Sequence, residues 1–246
     1  MDLSALDWAL LALAGVCFGI AKTALAGLGI LGVAIFATVL PARESVGVAL
    51  VVLIVADIVA VTIYRRHADW PHLFRLFPWT VAGIFGGFFA LGRVDDLAAQ
   101  RLIGGIVVAL VVIRFVRDLR GGADEDAPHA PWFAPVMGIL TGFVTMVANA
   151  AGPIMALYLL AMRLPKLTFV GTTAWFFLAI NLFKVPFLSS LGLIDGASLT
   201  HSLRLWPFAI GGALFGRWMI TRINQRLFEN LSLLLAGAAG LRLLLA

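Results

Sequence analysis

What most constrains this chain is a succession of apolar runs, at residues 8–40, 46–64, 77–91, 102–113, 132–162, 167–188, 205–220 and 227–246. Several exceed the ~20 residues that a helix needs to cross ~30 Å of hydrocarbon. In lipid, every backbone N–H and C=O must find a partner inside the protein, so runs of this length span as helices. The expected fold class is all-α, a polytopic helical membrane protein. Composition agrees: 62% of the residues are hydrophobic and 13% charged, where a soluble domain has roughly half and a quarter.

The longest polar segment, residues 120–131, is too short to be a soluble domain. The first run opens MDLSALDW, with two aspartates and no basic residue, so it is expected to remain as a span and not to be cleaved as a signal peptide. One cysteine, Cys17, excludes disulfide frameworks and multi-cysteine metal sites, and reads as a small hydrophobe on an apolar helix. The 18 Lys and Arg sit almost entirely at the ends of the apolar runs, where topology rather than nucleic acid explains them.

The chain also matches itself at about half its length. Gly15, Gly19 and Gly29 fall on Gly138, Gly142 and Gly152; Pro41, Gly47 and Asp57 fall on Pro165, Gly171 and Asn181; and RLFPW, from Arg75, falls on RLWPF, from Arg204. The expected division is a first transmembrane repeat over 1–120, a polar cytoplasmic linker over 121–131, and a second repeat over 132–246.

Each repeat opens with one long apolar run followed by three ordinary spans. If the long run crosses once, the basic residues divide evenly between the two sides and orient nothing. If it is a hairpin that enters and leaves on one side, eleven collect together: Arg65, Arg66, Arg75, Arg114, Arg117, Arg120, Arg163, Lys166, Arg217, Arg222 and Arg226. Only five remain opposite, Arg43, Arg93, Arg101, Arg204 and Arg242. The positive-inside rule then puts both termini outside the cytoplasm. Limbs of roughly 14–17 residues, or ~21–26 Å, favour incomplete or steep penetration, and full crossing stays open because it leaves the charge count unchanged. Three further crossings per unit make the repeats inverted, an architecture recurrent in secondary transporters.

The first hairpin is expected to turn around residues 21–28 and the second around 145–152. Pro153 suits the first turn of a restarting helix, which predicts a start at about Gly152 with Asn149 just before it. Both second limbs then begin near mid-membrane with unpaired N–H groups, which attract anions. Lys22, the one charge between residues 8 and 42, lies at the first tip. Ionisable groups inside spans are costly and usually functional. The expected anion-binding residues are Lys22, Thr23, Gly29, Asn149, Gly152, Thr173 and Asn181, with Asp57 as the proton-coupling candidate. A structural Lys22–Asp57 ion pair is the competing reading. Lys184 reads as lying near the outer end of its span, and Thr172 and Thr173 also read as ordinary interhelical hydrogen bonders.

His67, His72, His129 and His201 show no metal-ligand spacing, and the chain has no G-x-S-x-G, H-E-x-x-H or Walker-type loop, so no cofactor, metal or enzymatic activity is expected. Two other function classes stay open: a passive anion channel, and an intramembrane enzyme on lipid-linked substrates that uses His67, His72 and Arg75. The expected partners are a small anion, the bilayer and, as an open alternative, further copies of the chain.

The segments ANAAGP with Tyr158–Leu160, Leu164–Pro165, FVGTTAW from Phe169 and NLFK from Asn181 resemble the second half of sulfite exporter TauE/SafE-type membrane proteins. GIAKTALAGLG, Pro41 and Gly47 resemble the first half, so the resemblance covers the whole chain. It implies a secondary transporter of sulfite, organosulfonates or related carboxylates across a bacterial inner membrane. The lone Cys17 departs from members associated with cysteine chemistry, and rules out handling of sulfur by a cysteine pair within one chain.

Overall fold

A computed structural model describes residues 3–90, 105, 108, 109, 111, 112 and 131–245. The linker expected over 121–131 lies outside them apart from Pro131, as does most of the third span of the first repeat. The described residues contain α1 Ala5–Thr23, a 3-10 turn Ala26–Leu28, α2 Gly29–Val39, α3 Ala42–Tyr64, α4 Trp70–Ala90, α5 Phe133–Ala148, α6 Gly152–Ala161, α7 Lys166–Ser190, α8 Gly196–Arg222 and α9 Gln225–Leu245. By length and composition α1, α3, α4 and α7 can each cross a membrane. Large apolar side chains such as Leu6, Phe74, Phe89, Trp218 and Leu234 face outward, as lipid requires.

Each long run is broken as expected, but unevenly. The first limbs hold 19 and 16 residues and the second limbs 11 and 10. At 1.5 Å per residue, α1 is about 28 Å long and α2 about 16 Å. The second limbs are short because both of their ends are fixed. They start at Gly29 and Gly152, and proline at 41 and 165 pushes the preceding residue out of helical backbone.

The long limbs extend because each packs along a partner from the other repeat. A Cβ on Gly19 of α1 would lie 2.1 Å from the Ala209 carbonyl oxygen of α8, and one on Gly142 of α5 would lie 2.0 Å from the Thr80 carbonyl oxygen of α4. Gly212 against Val16 and Gly83 against Ile139 repeat the pattern, at 2.3 and 2.2 Å. In both pairs the contacting residues rise together, so α1 runs parallel to α8 and α4 parallel to α5. Small residues at these crossings bring backbones together, the form of packing that stabilises helices in lipid. Pro78 and Pro207 interrupt α4 and α8 at equivalent places.

Between these pairs, α3 and α7 run antiparallel. Gly47 meets Leu193, Asp57 meets Asn181, and Gly171 meets His67. Matched helices that pack antiparallel are related by a local two-fold axis across them, as an inverted repeat requires. Asp57 and Asn181 are repeat mates and hydrogen-bond each other, so the axis passes through that bond.

Candidate functional site

The two hairpin tips meet at the axis. α1 continues through Lys22 to Thr23, so the lysine sits in the last helical turn rather than in the loop. The Thr23 carbonyl, one of the oxygens left over at that helix end, accepts a hydrogen bond from the Tyr64 hydroxyl at 3.0 Å. At the second tip, α5 ends on Asn149 in the left-handed region, φ 52°, with its N–H bonded to the Thr145 carbonyl. Asparagine takes this conformation more readily than most residues. Three residues later Gly152, followed by Pro153, restarts the chain as α6. The tips touch closely enough that a Cβ on Gly152 would lie 2.8 Å from the Ala26 carbonyl oxygen.

A cavity lies where they meet. About 30 Å³ of it is open to the centre of a water molecule, room for roughly two or three waters. Lys22, Gly29, Asn149, Gly152, Thr173 and Asn181 all contribute to its wall, with Phe18, Leu53 and Phe177 supplying apolar surface. Thr23 does not line it. Successive helical residues point about 100° apart, so Thr23 faces α8 instead and donates to the Ala213 carbonyl at 2.8 Å. Thr173 gives its hydroxyl proton to Phe169 O one turn back. Thr172 points away, bonding Thr168 O and accepting from the Asp69 N–H, an ordinary tie between α7 and the start of α4.

Behind the cavity wall runs one connected polar chain. Lys22 Nζ lies 2.9 Å from Asp57 Oδ1 and 4.1 Å from the centre of the Phe177 ring. The other carboxylate oxygen, Oδ2, accepts from Asn181 Nδ2 at 2.6 Å. Asn181 Oδ1 faces Lys184 Nζ at 3.3 Å, and Lys184 also donates to Asn149 Oδ1 at 2.6 Å, Thr145 Oγ1 at 3.0 Å and Thr145 O at 2.7 Å. Asn149 Nδ2 closes the chain on the Val46 carbonyl of α3 at 3.1 Å. Each of Lys22, Asp57, Asn181 and Lys184 is buried. Low dielectric strengthens each of these bonds and makes any unmade one costly.

Lys184 is the residue that sequence reasoning placed wrongly. It is fully buried and belongs to the centre, not to an outer span end. The usable signal was its spacing: three residues after Asn181 on a helix puts both side chains on one face. The repeat supplies a second one. Lys22 corresponds to Thr145, and Lys184 to Ala60, so the two cations occupy non-equivalent places and converge only through the fold.

His72 pairs with Asp69 at 2.8 Å, but Asp69 also accepts the His72 backbone N–H at 3.2 Å. That is the geometry of a side chain capping the start of α4, and it orients the imidazole. Cys17 is a free, half-buried thiol on α1.

No curated protein and no solved structure matches the chain. The family model described as Sulfite exporter TauE/SafE matches residues 11–243, nearly its whole length. With broken hairpins, apolar spans and a match of that extent, the chain belongs to the sulfite exporter TauE/SafE family of membrane transporters.

Proposed function

We propose that this protein is a secondary transporter that carries a small anion, sulfite or a compact organosulfur or carboxylate relative, across the inner membrane by alternating access. The observation that carries the reading is the meeting of two oppositely directed hairpin tips at a polar cavity on the pseudo-two-fold axis. Two helix N-termini, at Gly29 and Gly152, border that cavity. The dipoles of these helix ends favour negative charge, although the Gly29 N–H itself bonds the Ala26 and Gly27 carbonyls, and Lys22 adds a cation at the wall. A space of this size suits an anion of few heavy atoms, and a longer sulfonate requires the tips to part.

In this reading Lys22 attracts the anion and the amides of Asn149 and Asn181 orient it. Asp57 couples protons: a proton on its carboxylate frees Lys22 from its ion pair, so an anion and a proton occupy the centre together. Inverted repeats exchange roles about the axis, which exposes the same centre to either face in turn. No nucleotide motif is present in the sequence, so the driving force is an ion gradient or the substrate's own.

The test is flux of radiolabelled sulfite into proteoliposomes under an imposed pH gradient. Wild-type flux should saturate with sulfite concentration and respond to the gradient, which a passive channel would not do. Lys22→Met, matched for insertion and folding, should lose at least tenfold. Undiminished flux in that variant would remove the central residue from the mechanism.

A further inference from the structure

The two lysines of the polar chain hold the hairpins in chemically different ways. Lys22 stands on the first hairpin and is tied to α3 through a carboxylate, Asp57, at 2.9 Å. Lys184 stands on α7 and reaches the second hairpin through neutral oxygens alone: Thr145 O, Thr145 Oγ1 and Asn149 Oδ1. Its fourth contact, Asn181 Oδ1, is neutral too. Among the described residues Lys184 has no carboxylate partner, although it is fully buried.

A buried ammonium whose bonds all go to neutral oxygens lacks the Coulombic attraction that an anion in contact would add, although those bonds are themselves charge-assisted. The Asn149 and Thr145 oxygens therefore hold a place that an anion's oxygens would fill better. Those side chains form the cavity wall in front of Lys184. The tie at the first tip is already an ion pair, which yields only when Asp57 takes up a proton, so an anion arriving without that proton has less to gain there.

We propose that Lys184 is a positioning residue whose hold on the second hairpin is exchanged for the bound anion, so that substrate releases this hairpin and not the first. This inference rests on the anion-transport reading above. The exchange moves an ammonium from Asn149 Oδ1 and Thr145 to the anion and leaves the α5 end, with its left-handed Asn149, free to shift against α7. Asn149 Nδ2 still binds Val46 O on α3, so the tip stays tethered while its register against α7 is lost.

The experiment is hydrogen–deuterium exchange by mass spectrometry on the full-length protein in detergent, with and without sodium sulfite. Peptides covering residues 145–151 should exchange at least threefold faster with sulfite, while those covering 23–28 stay within experimental error. In Lys184→Met the 145–151 peptides should already exchange fast without sulfite and respond no further. Asn149→Asp, which gives Lys184 a fixed carboxylate and suits left-handed backbone, should exchange slowly with or without sulfite. It guards against the first variant failing to fold. Release of residues 23–28 instead, protection of both tips, or a wild-type-like response in either variant would overturn the proposal. If the anion-transport reading itself fails, wild-type vesicles will take up no sulfite. If only this inference fails, flux will persist with an unresponsive second tip.

Discussion

Whether Lys22 serves the substrate or only balances Asp57 can be decided by removing both charges. The pair is 2.9 Å apart, with the Asp57 side chain fully buried and Lys22 9% exposed. Asp57→Leu alone strands an ammonium over Phe177 and orphans Asn181 Nδ2, and Lys22→Met alone leaves a carboxylate with one amide. Breaking one side of a buried pair costs about 3–5 kcal/mol, whereas replacing both sides with apolar groups of similar volume is neutral or stabilising by about 1–4 kcal/mol. The singles should therefore each lose about 3–5 kcal/mol, and the double Lys22→Met/Asp57→Leu should lose only about 1–3 kcal/mol, the cost of leaving Asn181 Nδ2 unpaired. Equilibrium unfolding of the purified protein in mixed micelles reads these differences, and sulfite flux from the same preparations reads function. A double variant as damaged as the sum of the singles would refute the ion-pair argument. A stable double variant with restored flux would show that Lys22 only balances Asp57, and a stable one without flux would show that the pair serves transport, Lys22 through the anion or Asp57 through the proton.

Two further outcomes test the architecture. Gly19→Ala and Gly142→Ala, whose new methyls meet the Ala209 and Thr80 carbonyls at 2.1 and 2.0 Å, should each destabilise by about 1–3 kcal/mol. Gly211→Ala meets nothing within 4 Å and should gain up to about 1 kcal/mol in helix propensity; thermal unfolding in detergent distinguishes these. Orientation is checked by single cysteines at residues 2, 125 and 246 in a Cys17→Ser background. Residues 2 and 246 should label from one face and residue 125 from the other, and any other pattern breaks the inverted topology.

What could be read from the sequence depended on how local its cause was. The restarts at Gly29 and Gly152 follow from glycine and from Pro153, which act within one turn, and the structure begins α2 and α6 there. Of the limbs expected at roughly 14–17 residues only α5, with 16, has that length, because α1 extends along α8 to 19 and α2 and α6 stop after 11 and 10. Thr23 adjoins Lys22 in sequence but does not share its face. On a helix that adjacency turns it by about 100°, into the Ala213 carbonyl.

Lys184 shows the opposite case, where the cause is distant. Its depth along α7 says nothing of what lies beside it, and Thr145 and Asn149, at 39 and 35 residues' separation, arrive from the other hairpin. Yet the repeat held more than was drawn from it. When two equivalent helices pack about a two-fold, a residue on the axis meets its own mate. Among the matched positions, Asp57 and Asn181 are the polar pair set deep within spans, and burial without a partner would be costly for both. Their contact follows once α3 and α7 pack about that axis, and with it the location of the site. What the matching could not supply was the asymmetry, Lys22 against Thr145 and Lys184 against Ala60. A symmetric centre would hold both hairpins alike. This one holds the first with an ion pair and the second with neutral oxygens, and that difference gives an arriving anion a preferred hairpin to release.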